Sequence, residues 1–220
     1  MIRRLIVLGA ALAVGTLIAC SDSSPTDPGP GGGTPELGAG APQVSILLTD
    51  APADYIDTAL VGISRVYLKA DEDSADVDLY NNPDSLLVFD LLTLQDGVTA
   101  HLASGVVPEN DYKQLRMVVD SAMVSLVDSL EFEDGGNWDI LKVPSGASSG
   151  IKVQLASPVP ADSGFVTVIT VDFDVNDNFK IQGNPNTPAG IKGVLFTPTL
   201  KEKGRSQDEQ DDEEGEGEEQ

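Results

Sequence analysis

The chain has 220 residues and is strongly acidic, with 36 Asp and Glu against 13 Lys and Arg and a formal net charge of −23. Proteins that bind a phosphate backbone draw free energy from basic side chains that release counterions. The charge balance therefore argues against nucleic acid as a partner and against electrostatic docking onto anionic lipid. Because Cys20 is the only cysteine, no disulfide within the chain can stabilise a folded domain.

The N-terminal segment has the layout of a secretory signal peptide. Arg3 and Arg4 form a short basic start, an apolar run covers residues 5–17, and the small residue Ala19 precedes Cys20. A helix as short as that run is roughly 20 Å long at ~1.5 Å per residue, which does not cross the ~30 Å hydrocarbon core of a bilayer. We therefore predict an export signal over residues 1–19 and not a transmembrane helix.

Leu17-Ile18-Ala19-Cys20 resembles the lipobox of bacterial lipoproteins, in which the cysteine receives lipid and the chain is cut on its N-terminal side. A lone cysteine in an exported protein needs such an explanation, and acyl chains bind membranes with ~0.8 kcal/mol per buried methylene. We predict lipidation at Cys20 and a cell-envelope location held by this lipid anchor. Because Ser21 and not Asp follows, the chain resembles lipoproteins sorted to the outer membrane. The alternative is an ordinary secretory signal followed by an unmodified cysteine.

Two segments have the composition of unfolded chain. Residues 20–42 are rich in Gly and Pro, which is typical of a flexible tether. Half of residues 201–220 are acidic, and such a tail cannot bury enough apolar surface to offset the entropy of ordering. This tail is predicted to be solvated, with cation sequestration or a contact with a basic partner as alternatives. Residues 43–200 remain as one domain with its own core.

Residues 43–200 are predicted to be all-β, because short β-branched runs are separated by turns rich in Gly, Pro, Asp and Asn. The predicted strands cover residues 43–48, 60–69, 86–91, 112–119, 122–128, 138–143, 151–155, 165–173 and 191–200. One short helix could fit at residues 91–102, although Gly97 weakens it. So many strands in one domain favour a two-layer antiparallel β-sandwich over a flat sheet.

Four motifs stand at predicted strand ends, namely Leu48-Thr49-Asp50-Ala51-Pro52, residues 108–116, residues 142–146 with 150–152, and Val171-Asp172-Phe173-Asp174. In order and spacing they resemble the bacterial lipoprotein domain of unknown function 4382, from residue 44 to about residue 200. The resemblance implies a transthyretin- or immunoglobulin-like sandwich behind a lipobox, with no established activity and no catalytic residues. Asn110 stands where the family usually has Gly, and we expect the turn to survive because Asn tolerates positive φ.

Oxygen-bearing side chains alternate along Asp172, Asp174 and Asn176, as they do at the start of a calcium loop. Asp177 and Gly183 stand where an EF-hand needs Gly and a bidentate Glu, so the segment is not an EF-hand. A calcium site of another kind is the one cofactor that the sequence leaves open. The alternative is that these carboxylates are solvated or accept hydrogen bonds from turn amides.

Trp138 is the candidate ligand-binding residue, because it follows the turn sequence Asp134-Gly135-Gly136-Asn137 and could stack on a glycan. The sequence favours the alternative, in which the indole packs in the core or against a hairpin. Tyr55 and Tyr80 stand in polar contexts and are weaker candidates for the same role.

No catalytic machinery is predicted. Residues 146–150 match the nucleophile-elbow string, but a strand is predicted after Ser148, and the only histidine, His101, lies upstream and is predicted at the surface. Carboxylate pairs of a glycosidase cannot be told from chance neighbours in a chain this acidic. We predict a non-catalytic, membrane-anchored lipoprotein with a binding or structural domain for a protein or glycan ligand. Calcium-dependent adhesion or glycan binding is the alternative, and a glycan-active hydrolase is third.

Overall fold

The computed structural model describes residues 40–144, 149–187 and 190–210, and these residues confirm the prediction of an all-β domain. Its strands are β1 (Gln43–Thr49), β2 (Ile56–Lys69), β3 (Val77–Asn81), β4 (Leu87–Asp90), β5 (Ala100–Val106), β6 (Asn110–Tyr112), β7 (Gln114–Leu126), β8 (Trp138–Leu141), β9 (Ile151–Gln154), β10 (Val159–Ala161), β11 (Phe165–Asp172), β12 (Phe179–Gly183), β13 (Ile191–Phe196) and β14 (Leu200–Glu209). The described helical elements are a 3₁₀ turn at Leu91–Leu94 and the short helix α1 at Val175–Asn178.

Ten of the described strands form one hydrogen-bonded sheet in the order β3-β2-β7-β9-β14-β11-β1-β5, with β4 also beside β2 and β8 also beside β7. β1 runs parallel to β11, and β9 runs parallel to β14. The outermost strands approach each other, since a Cβ added to Gly105 of β5 would lie 3.4 Å from Leu79 Cδ2 of β3. The prediction of a two-layer antiparallel sandwich is therefore wrong, because the sheet is continuous, curled and nearly closed.

The long strands β2 and β7 form the central ladder and explain why the sheet does not divide into layers. β2 pairs with β4 along its first half and with β3 along its second half. β7 likewise pairs with two strands, with β9 along its first half and with β8 along its second half. The predicted break at residues 120–121 is a bulge, because Val119 pairs with Ile63 and Ser121 pairs with Gly62. Bulges bend a strand and increase its twist, which lets one strand follow the curved sheet.

The core lies on the concave side of this sheet, where alternate side chains of the strands are fully buried. Val44, Ile46 and Leu48 of β1 face Ile169 and Val171 of β11 in this core. Near the ends of β1 and β11 an aromatic group closes the core. Phe173 stacks on Phe196 with ring centroids 6.2 Å apart, and Phe179 is tilted against Phe196 at 4.9 Å. Such pairs add stability beyond the area they bury, and they join the end of β11 to β12 and β13.

The helix predicted over residues 91–102 is wrong in most of its length. Only Leu91–Leu94 is helical, as a 3₁₀ turn with Leu91 and Leu94 buried, and β5 follows from residue 100. Asp96 and Gly97, with φ of 57° and 87°, turn the chain between these two elements. Asn110 lies in β6 and is not among the described residues with positive φ, so the expected left-handed turn is absent there.

The folded domain extends beyond both of its predicted boundaries. β14 pairs along β11 from Asp172↔Lys201 to Phe165↔Glu209, so residues 201–209 are a strand and not part of an unfolded tail. At the other end the Pro42 carbonyl accepts from Val107 N at 2.9 Å, which ties residue 42 to the domain and not to the predicted tether. The predicted signal peptide, Cys20 and residues 211–220 lie outside the described residues.

The first and last described residues lie side by side. The side-chain amide of Gln210 donates to the Ala41 carbonyl at 2.8 Å, while its backbone N–H donates to Gly164 O at 2.8 Å. Gly164 N in turn donates to Gly40 O at 2.6 Å. Within the part of the chain that the structure describes, no helix has the length and apolarity needed to span a membrane.

Candidate functional site

Trp138 is an exposed residue, with 52% of its surface accessible, so it does not pack in the core, while packing against a hairpin stays a prediction. It begins β8, and Ile140, two residues further on the same strand face, is 76% exposed. Leu141 points to the other face and is buried. β8 therefore presents large apolar side chains to the solvent in addition to those it buries.

The residues that pair with β8 extend this exposed surface across neighbouring strands, since paired residues share a sheet face. Ile140 pairs with Met123 of β7, which pairs with Leu60 of β2. On the other side of β2, Gly62 pairs with Val88, which is 61% exposed. A Cβ added to Gly62 would lie 2.9 Å from Leu86 Cδ1, so the Leu86 side chain covers this glycine. We define the apolar face by these side chains: Leu60, Leu86, Val88, Met123, Trp138 and Ile140.

The opposite face of the same strands already supplies the core. Ala59 and Val61 of β2, with Ala122 and Val124 of β7, are buried on that side. A strand that buries one face needs apolar residues only at alternate positions. Core packing therefore does not account for the apolar face, on which Trp138, Ile140 and Val88 remain exposed. Contiguous exposed apolar patches are typical of binding surfaces.

The loop that leads to Trp138 borders the apolar face with negative charge. Asp128, Glu131, Glu133 and Asp134 are exposed in residues 127–137, a stretch that contains no basic residue. The loop is well anchored, because Phe132 is buried and its backbone N–H donates to Gly136 O at 2.9 Å. The apolar face thus has an ordered acidic border on the side of Trp138.

The predicted calcium ligands have other partners. Asp174 Oδ1 accepts from Asp177 N at 3.1 Å and caps α1, while Asn176 Nδ2 donates to the Pro52 carbonyl at 2.5 Å. Asp172 is half-buried at the end of β11. In the ranges that the structure describes, no three His, Cys, Asp or Glu side chains group in a way that could hold a metal ion. Asp174 Oδ1 and Asn176 Nδ2 therefore already make hydrogen bonds within the domain, and a calcium site at Asp172, Asp174 and Asn176 stays a prediction.

Asp50 is the buried charged residue that the sequence analysis did not single out. It is 1% exposed, and its Oδ1 accepts from Val175 N at 2.8 Å, which ties the end of β1 to α1. Oδ2 has no partner among the described residues. Burial raises the pKa of Asp50 to about 7, opposed by the N–H groups of Val175 and Ala51 and reinforced by the charges of Asp174 and Asp172. The sequence feature that could have singled out Asp50 is its position directly between an apolar strand and Ala51-Pro52.

Asp172 is a second carboxylate with an unsatisfied oxygen, since its buried Oδ1 has no partner in the described part of the chain. Burial raises its pKa, while Lys203 and Lys201 of β14 oppose that shift. Asp172 pairs with Thr49 of β1, whereas Asp50 is the next residue and points to the opposite side of the sheet. The two carboxylates are therefore neighbours in the sheet without forming one pocket.

The other residues weighed from the sequence are dispersed. His101 is exposed in β5, where it pairs with Leu47, and Ser148 lies outside the described residues. Tyr80 is half-buried in β3, and its hydroxyl donates to the Ser85 carbonyl. Tyr55 is 44% exposed just before β2 and has a φ of 68°.

Comparison with known proteins gives one family. The model of DUF4382, a domain of unknown function, matches residues 41–188. Neither a curated protein nor a solved structure matches the chain. The matched range includes Asp50, the whole apolar face and Asp172, but it ends before β13 and β14, which complete the domain. The chain therefore belongs to the DUF4382 family.

Proposed function

We propose that this chain is a lipid-anchored, non-catalytic module of the cell envelope that binds another protein through the apolar face. The anchor is Cys20, in the lipobox-like sequence Leu17-Ile18-Ala19-Cys20, and the Gly- and Pro-rich segment after it is the tether. The most economical location is the outer membrane, with the domain on its periplasmic or outer side. The proposal gives the export signal, the lone cysteine and the exposed sheet face one common purpose.

The observation that carries the binding role is the exposure of Trp138, Ile140 and Val88 on one face of adjoining strands. Burial in a complex of the area that each of these side chains still exposes would contribute on the order of 1 kcal/mol. Tryptophan is also among the residues that most often dominate the binding energy of protein interfaces. The face therefore has the chemistry of an interface centre.

The charges at the border of the face support one kind of partner. Four exposed acids in residues 127–137 border the Trp138 end of the face. A second copy of this acidic chain would bring like charges together, whereas a partner with an apolar centre and a basic border would be attracted. We therefore assign the apolar face to a different protein of the envelope with a basic rim.

The anchor is tested with Cys20→Ser in the producing bacterium. The wild-type protein should partition into the detergent phase with the mass of a lipidated chain. The variant should lose the acyl mass and, once cut, leave the membrane fraction. A variant that is cleaved and still carries lipid would contradict the lipobox.

The apolar face is tested with a photo-crosslinking amino acid placed at position 140 in the same cells, compared with position 98. Val98 is the matched control, because it is exposed to 52% and lies outside the face. We expect a discrete crosslinked product from position 140 that disappears with Trp138→Asp and weakens with added salt. Equal products from both positions would refute the assignment.

Glycan binding is the second candidate, and the exposed indole of Trp138 is the observation in its favour. The aliphatic side chains of Ile140 and Val88 offer no hydrogen bonds to sugar hydroxyls, so they favour a protein partner. Digestion of envelope glycans before irradiation separates the two, because only a glycan contact would then disappear.

A further inference from the structure

A second candidate binding site lies outside the apolar face, around Tyr55. The backbone of Tyr55 has a φ of 68°, a left-handed conformation that bulky side chains rarely adopt. Such strain costs on the order of 1–3 kcal/mol and persists only where the surrounding structure enforces it. Asp96 is the only other described non-glycine residue with positive φ, and it lies in an ordinary Asp-Gly turn.

Three hydrogen bonds hold the segment that ends at Tyr55. Asp50 Oδ1 accepts from Val175 N at 2.8 Å, the Pro52 carbonyl accepts from Asn176 Nδ2 at 2.5 Å, and the Tyr55 carbonyl accepts from Val127 N at 3.1 Å. Ile56, the next residue, is buried. The Tyr55 ring is consequently not packed in the core and is left 44% exposed.

The Tyr55 ring lines a cleft of about 230 Å³ between this segment, α1 and β12. The lining includes apolar groups, Phe179 and Ile181, and polar groups, Asp54, Asn176 and Lys180. Lys180 is held in place, since its Nζ donates to Asn176 O at 2.7 Å and lies 3.7 Å from Asp177 Oδ1. The cleft thus combines an aromatic surface with hydrogen-bonding groups that are already positioned.

The charges of the lining select the class of ligand. Asp54 and Lys180, whose side chains carry opposite charges, both line this small space, so the charges of the lining offset each other and favour neither an anion nor a cation. Carboxylate and amide oxygens accept hydrogen bonds, and ammonium and amide N–H groups donate them. A ligand with an apolar face for Tyr55 and hydroxyls around its edge uses all of these groups.

The cleft volume limits the size of that ligand. Sites for drug-sized molecules are about 300–1,000 Å³, and this cleft is smaller. We infer that the Tyr55 cleft binds one neutral sugar ring of a saccharide, with the ring stacked on Tyr55 and its hydroxyls bonded to Asp54, Asn176 and Lys180. This inference is independent of the proposed protein contact at the apolar face.

The test uses the full chain in neutral detergent and three probes, the methyl glycosides of glucose, galactose and N-acetylglucosamine. Saturation-transfer NMR should detect binding of at least one probe with a dissociation constant in the millimolar range. Tyr55→Gly should weaken that binding by at least about tenfold, equivalent to ~1.4 kcal/mol. Glycine adopts positive φ without strain, so this variant removes the ring and is expected to fold at least as stably as the wild type.

Matched variants locate the site. Tyr55→Phe should keep most of the binding because it keeps the ring, Asp54→Asn and Lys180→Gln should each weaken it, and Trp138→Ala should leave it unchanged. Binding that survives Tyr55→Gly, or that is lost with Trp138→Ala, overturns the assignment. Failure of all three probes to bind also overturns it, as does preferential binding of tetramethylammonium or methyl phosphate.

Discussion

The apolar face and the Asp50 end of β1 depart from the usual distribution of side chains in opposite directions. Ile140 is 76% exposed although it is aliphatic, whereas Asp50 is 1% exposed although it is a carboxylic acid. An exposed apolar patch and a buried polar group are the two observations about burial that carry information. We expect the face to contribute little to the stability of the fold, whereas the raised pKa of Asp50 makes that stability depend on its protonation.

The proposed binding surface and the stability of the fold therefore depend on different residues. The residues of the apolar face can change without disturbing the core, because the core is built by the opposite side of the same strands. Asp50 cannot change without affecting the link between β1 and α1, because its Oδ1 accepts from Val175 N. Substitutions in the two regions should therefore separate binding from stability.

A matched pair of isoleucines gives the largest effect. Ile46→Ala, in the core strand β1, should lower the free energy of unfolding by about 2–5 kcal/mol, because it leaves a cavity. Ile140→Ala, on the apolar face, should change it by less than ~0.5 kcal/mol. Urea denaturation followed by circular dichroism measures both. A large loss with Ile140→Ala would mean that the face belongs to the folded core.

The pH dependence of Asp50 is the next largest effect. Its pKa of about 7 in the folded protein lies above the usual value of 3.8, so its stabilising contribution is complete below pH 3.8 and is lost as the pH rises through 7. The Asp50→Asn variant keeps an oxygen for Val175 N–H and carries no charge. Between pH 4 and pH 8 the free energy of unfolding of this variant should rise, relative to that of the wild type, by on the order of a few kcal/mol.

Urea denaturation of the wild type and of Asp50→Asn across this pH range measures how the difference in their free energies of unfolding changes with pH. The other carboxylates are common to the two proteins and cancel in the difference, so the difference reports Asp50. A difference that stays constant with pH, or that moves against the variant at high pH, would show that Asp50 is ionised in the folded protein without penalty.

The smallest effect concerns fluorescence. Trp138 is the only tryptophan in the chain and is 52% exposed, so its emission should shift little to the red on unfolding. Acrylamide should quench it readily in the folded protein, and a bound partner should shift the emission to the blue. A strongly shielded indole in the free protein would contradict the exposed face.

Local patterns predicted much of the fold but not its closure. The β-branched runs at β1, β9 and β11 identify these strands, and β8 was expected at the right place. β14 was missed because Lys, Glu, Arg and Gln dominate it, and backbone pairing with β11 and β9 is what orders it. The order of strands depends on pairings between distant residues, such as β1 with β11, which no local pattern contains.

The candidate sites were predicted only in part. Trp138 could be selected from its turn sequence, but its exposure depends on how β8 pairs with β7. The alternation of Asp172, Asp174 and Asn176 suggested metal ligands, yet in the structure Asp174 caps α1 and Asn176 binds Pro52. Asp50 was one acid among 36 Asp and Glu, and its burial follows from tertiary packing alone.

The hydrogen bond from Gln210 to Ala41 brings the two ends of the described domain to one point. The sheet should therefore tolerate a circular permutation, in which a short linker joins residue 210 to residue 40 and new ends are cut elsewhere. The exposed turn at Asp96 and Gly97 offers such a cut. An anchor attached to the new ends of such a permuted chain would hold the domain at the Asp96-Gly97 turn. The apolar face would then have a different orientation relative to the membrane.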